Sequence, residues 1–432
     1  MRHIFRIIVT LYAAGGLAAS DAIAANASSS NGYSSPRLAR LAHELQTGDR
    51  QALDAFWKTM NGNAPLVESI DGDHRRRQVT FVWRASNGTT RVTMMGGLPG
   101  ANLLKPLTRL ADTDLWHLSE AHSTEARFQY VFQINGPEAV PMESSAILKE
   151  VQQNPPRRDP FNARTYAGWS YLELPDAPRQ PWIEKRPGIP SGRKTRETFQ
   201  SRILGAEYSL SIYTPAAYEK DDTRCWLMIA FDGGFNMMDV TLDNLLAAGK
   251  IPRMVVVGVR NISSQSRQRD LNCSEEFAGF VATELAPWAR RVYRVYADPA
   301  HTIVGGTSLG GKMAAYCGLK HSDVFGKVLS QSGSFLTAAR QESPTPLWDG
   351  EAPGLLTAQF LRSPRLPLEF YMDVGRYETT LPFSHLLETR RFRDVLEAKG
   401  YRVTYAEFVG GHNEVCWRGT FADGIMALTG KQ

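Results

Sequence analysis

Apolar and polar positions change rhythm twice along this chain. Over residues 37–60, Leu38, Leu41, Leu45, Leu53, Phe56 and Trp57 recur at helical spacing, interrupted near Thr47-Gly48-Asp49. That pattern predicts one or two amphipathic helices. From 64 to 165 the period shortens to two. Within 78–84, Val79, Phe81 and Trp83 fall on one side, Asn87-Gly88 carries a hairpin signal, and 89–94 is the expected return strand. Residues 115–118 and 127–134 add further strands. Short strands at this spacing predict an all-β sandwich of immunoglobulin-like type. Pro175, Pro178, Pro181, Pro187 and Pro190 then mark 166–195 as a linker.

From 196 to 432 strands and helices alternate. Apolar runs at 208–213, 225–231, 254–259, 302–305, 327–330, 368–374 and 402–408 are separated by helical stretches at 242–248, 277–293, 312–320 and 385–399. Continuous apolar runs suit strands covered on both faces. The alternation predicts a doubly wound, mostly parallel sheet, which the serine motif described below narrows to the α/β-hydrolase architecture.

The first 24 residues read differently. Arg2, His3 and Arg6 precede an apolar run from 7 to 19, and Ala22-Ile23-Ala24 offers a small-x-small cleavage site. We expect a signal peptide over 1–24, export to the periplasm or beyond, and no stable membrane insertion after cleavage. A flexible leader and the amphipathic helices fill 25–63. Loss of two Arg and one Asp with the signal lowers the net charge from +5 to +4. That mild, unclustered excess excludes a nucleic-acid binder and suits an anionic small-molecule substrate. Cys225, Cys273, Cys317 and Cys416 match no zinc spacing, so no metal site and no cofactor is expected.

The chemistry gathers around Gly306-Thr307-Ser308-Leu309-Gly310. A GxSxG segment between an apolar strand and an Ala-rich helix predicts a nucleophile elbow with Ser308 at its tip. His412 follows the last strand in Val409-Gly410-Gly411-His412-Asn413 and is the expected general base. The acid should follow the strand before it. Glu378 is the choice and Asp373, inside that strand, the alternative. The Leu309 amide is one expected oxyanion donor. The other comes from Gly234 or Phe235 in Asp232-Gly233-Gly234-Phe235-Asn236.

These segments resemble the enterochelin (ferric enterobactin) esterases. Phe231-Asp232-Gly233-Gly234-Phe235 is similar to that family's Asp-Gly loop. Ser266-Arg267-Gln268-Arg269-Asp270-Leu271-Asn272-Cys273 is similar to its Arg-x-x-Glu-Leu segment, with Asp270 for Glu. Leu329-Ser330-Gln331-Ser332-Gly333-Ser334-Phe335 resembles part of its nucleophile region. Gly410-Gly411-His412-Asn413-Glu414-Val415-Cys416-Trp417-Arg418-Gly419 resembles its terminal motif, with Asn413 for Asp, and Asp159-Pro160-Phe161-Asn162 its sandwich exit. The resemblance implies cleavage of the trilactone of a catecholate siderophore to release iron, the ferric siderophore being the substrate. It would make Arg267 a substrate-contacting cation, an alternative to a surface arginine paired with Asp270. Trp417 and Arg418 would line the same site or brace the His412 loop. It also brings Cys273 and Cys416 close enough to suggest a disulfide. Two other readings stand beside it: a secreted carboxylesterase of the feruloyl or carbohydrate-ester type, and a non-catalytic siderophore- or glycan-binding protein.

Overall fold

The computed structural model of the protein describes residues 33–98, 104–136, 154–220, 222–232, 238–335, 354–379 and 384–430. The expected signal peptide and the oxyanion donors Gly234 and Phe235 lie outside the described residues. The chain divides into two compact units: the first runs to Pro178 and takes in Val409–Val415, and the second begins at Arg179.

In the first unit, α1 (Pro36–Gln46) and α2 (Ala52–Met60) are separated by a turn with Gly48 at φ 92°. Ser35 caps α1 by accepting from the Leu38 amide, and Pro36 occupies the first helical position, where no N–H is needed. Leu38, Leu41, Phe56 and Trp57 bury one stripe against Val82, Leu110 and Leu115. The strands are β1 (Leu66–Ile70), β2 (Asp73–Arg84), β3 (Val92–Gly96), β4 (Leu104–Pro106), β5 (Thr108–Arg109), β6 (Leu115–Ser123), β7 (Arg127–Ile134), β8 (Thr165–Tyr166) and β9 (Trp169–Glu173). They form two antiparallel sheets, β1-β2-β6-β5 and β4-β3-β7-β9-β8. Phe81 of β2 meets Phe128 and Tyr130 of β7, and Trp83 meets Phe132, so these ring pairs join the sheets face to face.

Two expectations are corrected here. Asn87-Gly88 does not close a hairpin: β2 pairs with β1 and β6, whereas β3 pairs with β4 and β7. The dipeptide encodes a tight reversal, with Gly88 at φ 84°, and that reversal carries the chain from one sheet to the other. The expected linker 166–195 is also shorter. Trp169–Glu173 pairs with β7 and buries Trp169 and Leu172, because its apolar side chains complete the second sheet. At the other end, β10 already begins at Arg193.

The second unit is built on β10 (Arg193–Ser201), β11 (Ala206–Thr214), β12 (Trp226–Ala230), β13 (Met254–Arg260), β14 (Thr302–Thr307), β15 (Lys327–Gln331), β16 (Glu369–Gly375) and β17 (Arg402–Phe408). The sheet order is β10-β11-β13-β12-β14-β15-β16-β17. β10, β11 and β13 pair antiparallel, and the remaining neighbours pair parallel. Its helices are α3 (Met238–Ala247), α4 (Ser264–Leu271), α5 (Glu275–Gly279), α6 (Ala286–Val292), α7 (Leu309–Lys320), α8 (Leu355–Arg362), α9 (His385–Ala398) and α10 (Glu414–Thr429). Apolar side chains alternate between two cores, one on each face of the sheet. Leu227, Ile229, Val255 and Val257 enter one, and Met228, Ala230, Met254 and Val256 enter the other. This is the expected doubly wound architecture, and it puts the carboxyl ends of β12, β14, β15 and β16 along one edge, where such folds carry their chemistry. Among the described residues no helix is long and apolar enough to cross a membrane.

Candidate active site

Ser308 stands between β14 and α7 with φ 57° and ψ −122°. A non-glycine residue held there costs about 1–3 kcal/mol, and such strain gathers at functional turns. The surroundings hold it in place. The Ser308 amide donates to the Gln331 carbonyl at 2.9 Å, and the Ser308 carbonyl accepts from Ser334 and Lys312. Gly306 is required by close approach: a Cβ there would stand 2.5 Å from the Gly310 backbone. Leu309 is the first residue of α7, so its amide has no partner within the helix and is oriented toward the strand ends.

The loop expected to supply the second oxyanion donor is described only at its start. There Asp232 has φ 61°, and Arg267 grips its carboxylate with two bonds, Nε to Oδ1 at 2.6 Å and Nη2 to Oδ2 at 2.8 Å. Arg267 therefore does not pair with Asp270. Asp270 is buried and accepts instead from Arg269, Tyr208 and Asn261. Arg267 is drawn to the loop after β12, whereas Asp270 turns inward to Tyr208 on β11 and Asn261 just past β13.

Glu378 follows β16 and is buried. Its Oε1 accepts from the Gly375 amide at 2.8 Å and from the Ser332 hydroxyl at 2.6 Å. Ser332 in turn accepts from the Trp417 indole N–H at 2.8 Å. A Trp417–Ser332–Glu378 line thus fixes the carboxylate. Asp373 lies inside β16 and accepts from the Gln331 amide at 3.3 Å. Burial pushes its carboxyl up to about 7, against the opposing bonds from Thr420 and Gln331. A carboxyl that burial shifts toward its neutral form is a poorer partner for an imidazolium, which favours Glu378 as the acid.

His412 is half-buried on the stretch Val409–Val415, between β17 and α10. That stretch is bonded to β7. The Arg127 amide donates to the Val409 carbonyl at 3.1 Å, Arg127 and Gly410 form a parallel bridge, and the Val415 amide donates to Gln129 Oε1 at 3.4 Å. Backbone on both sides of the histidine is therefore tied to a sandwich strand.

The remaining expected site residues find protein partners. Trp417 is buried with its N–H committed to Ser332, which ties the indole to the acid. Arg418 Nε donates to Gln180 Oε1 at 2.9 Å. No disulfide joins Cys273 to Cys416 or any other pair of the four cysteines. Cys273 instead neighbours the buried Lys312, and burial raises its thiol.

Two side chains were not singled out by sequence reasoning. Ser334 Oγ lies 3.2 Å from Ser308 Oγ and 3.1 Å from His385 Nε2. A carboxylate oxygen of Glu378 and a ring nitrogen of His385 lie within 4.8 Å. The sequence placed His385 at a helix start, where it is found, just after the cap Ser384. Nothing in its local pattern signals a partner 51 residues away. Ser334, inside the Gln331-Ser332-Gly333-Ser334 motif, was the accessible clue.

Comparison with known proteins agrees with this geometry. Residues 201–428 match the family described as "Putative esterase", and residues 78–183 match "Enterochelin esterase, N-terminal". The iron(III) enterobactin esterase of Dickeya dadantii is 29% identical over 425 residues, covering 90% of this chain and 95% of that protein. The iron(III) salmochelin esterase of Escherichia coli O6:H1 is 25% identical, covering 91% and 98%. The crystal structure of ferric enterobactin esterase from Salmonella typhimurium superposes with a TM-score of 0.69 at 27% identity, covering 87% of this chain and 98% of that one. The chain belongs to this esterase family and, by its match over residues 78–183 together with these relatives, to the enterochelin esterases.

Proposed function

We propose that the protein is a serine hydrolase that opens the ester bonds of an enterobactin-like catecholate siderophore, so that the bound iron is released. The observation that carries the reaction type is the strained Ser308 turn at the carboxyl end of β14. The substrate class is supported by relatives that this chain matches over nine-tenths of its length. Ser308 Oγ attacks the ester carbonyl carbon while His412 takes its proton. The Leu309 amide, with that of Gly234 or Phe235, holds the oxyanion. The C–O bond then breaks, and His412 returns the proton to the leaving alcohol. Water activated by His412 displaces Ser308 and frees the acid. Glu378 holds the imidazole and stabilises its charged form. Arg267 keeps Nη1 buried and without a partner among the described residues. We assign that N–H to an anionic catecholate oxygen.

We further read the paired sheets of the first unit as immunoglobulin-like and the protein as exported to the periplasm. The basic start, the apolar run and Ala22-Ile23-Ala24 support export.

The test is incubation of wild type and Ser308→Ala with ferric and iron-free enterobactin, followed by product masses. Linear trimer, dimer or monomer from wild type alone is the expected result. Hydrolysis of an aryl or feruloyl ester without trilactone cleavage would move the substrate to another ester. Inactivity on all of them would overturn the enzyme reading in favour of a binding protein.

A further inference from the structure

Ser308 has a second hydroxyl beside it. Ser334 Oγ is 3.2 Å from the nucleophile oxygen, and on its other side His385 Nε2 is 3.1 Å away. The three groups belong to the tip of the elbow, the loop after β15 and the first residue of α9. Their alignment is built in several places. The Ser334 amide donates to the Ser308 carbonyl at 3.0 Å, so backbone and side chain together set Ser334 against the nucleophile. The Leu386 amide donates to the Glu378 carbonyl at 3.1 Å, which ties the start of α9 to the loop that carries the acid.

We propose that Ser334 is a further catalytic hydroxyl and His385 its positioning residue, together forming a second proton path from the nucleophile. The proposal rests on Ser308 being the nucleophile and is independent of the substrate. A hydroxyl accepts and donates at once. As Ser308 Oγ bonds to the carbonyl carbon, its proton passes to Ser334 Oγ, and the proton Ser334 held passes to His385 Nε2. This requires the tautomer with hydrogen on Nδ1. The imidazolium so formed lies within 4.8 Å of a Glu378 carboxylate oxygen, close enough for direct charge compensation. Reversal of both transfers returns the proton when the ester C–O bond breaks, so no group is left altered. A buried hydroxyl needs some partner, and simple satisfaction of Ser334 is the competing explanation. The two make different predictions, because a hydroxyl that merely satisfies itself does not couple His385 to the reactivity of Ser308.

The experiment measures the rate at which a fluorophosphonate labels Ser308, with mass spectrometry locating the label. Labelling of wild type at Ser308 and none in Ser308→Ala would establish the nucleophile, whatever the natural ester proves to be. The relay is then tested in a His412→Ala background, where the main base is gone. There, His385→Gln and Ser334→Ala are each expected to slow labelling about tenfold, a modest share of what a positioned base supplies. The two together should slow it no more than either alone, since groups in series are non-additive. Ser334→Thr keeps the hydroxyl and should restore most of the rate. Multiplying effects, or a labelling rate indifferent to His385, would overturn the proposal. If Ser334→Ala loses its thermal transition, His385→Gln decides alone, because that side chain is half-buried at a helix end.

Discussion

Both units of this protein bury carboxyl groups, and they use them differently. In the sandwich, Asp159 is buried and closes on its own neighbourhood: Oδ2 accepts from Tyr130 OH at 2.8 Å and Oδ1 from the Phe161 amide at 2.9 Å. Asn162 then donates to the same Tyr130 oxygen. Each donor belongs to that unit, and the network staples the strand-exit segment to β7. In the hydrolase unit, Glu378 is equally buried, yet it sits past the end of a parallel strand and is held from one side by Ser332 and Gly375. Burial alone therefore marks packing as readily as chemistry. What separates the two is position at the carboxyl ends of the sheet.

The comparison is sharpest between Glu378 and Asp373, two acids five residues apart. Glu378→Gln keeps the size of the side chain and removes the charge, and it should lower kcat by about 10^3–10^4-fold, the scale expected for losing the acid of a triad. Asp373→Asn should change kcat by less than about threefold. Its carboxyl is already shifted toward the neutral form by burial, and an amide oxygen can still accept from Gln331. Steady-state kinetics on a soluble aryl ester, read at neutral pH, decides between them. A collapse in Asp373→Asn with little effect from Glu378→Gln would exchange their roles.

A smaller effect should come from the brace behind the acid. Trp417→Phe preserves most of the buried ring and deletes the N–H that Ser332 accepts. Ser332 then keeps its bond to Glu378 but loses the donor that orients it. An expected fall of about three- to tenfold in kcat, with KM unchanged, corresponds to one neutral hydrogen bond of roughly 1 kcal/mol. A change confined to KM would instead put the indole against substrate.

Sequence carried much of this arrangement, where the physical cause is local. GxSxG between an apolar strand and a helix is a contiguous signal, because the elbow needs Gly306 for the approach of Gly310. The parallel sheet was legible because its strands are covered on both faces and read as apolar runs. Partnership was not legible where it depends on which element comes alongside. Asn87-Gly88 encodes a reversal but not the sheet that receives β3. Arg267 was weighed against the nearest acid in sequence and instead grips Asp232 across 35 residues. The strand Trp169–Glu173 was hidden by the prolines that follow it and by its lack of a clean alternation, although Trp169 and Leu172 are both buried. The tie between β7 and the His412 loop spans nearly 300 residues and left no mark in composition or period.

The smallest functional effect is expected in the sandwich, and there the comparison can be broken outright. Asp159→Asn should leave kcat unchanged and alter only how stability depends on pH. Burial raises the Asp159 carboxyl from 3.8 to about 6, with the bonds from Tyr130 and the Phe161 amide opposing that shift. An acid whose folded value lies above its unfolded value binds its proton more tightly when folded. Its contribution is therefore fully present below about pH 4 and is lost as pH rises through about 6. A shift of about two units amounts to roughly 3 kcal/mol over that window. Asparagine cannot titrate, so this share of the pH dependence should vanish. Its one carbonyl oxygen must replace two acceptors, which costs about 1 kcal/mol at low pH. The variant should accordingly melt below wild type at pH 4.5 and match or exceed it at pH 8. Parallel melting curves across that range would remove Asp159 as a titrating group. A loss of kcat at unchanged stability would mean that the sandwich's buried acid reaches the chemistry after all.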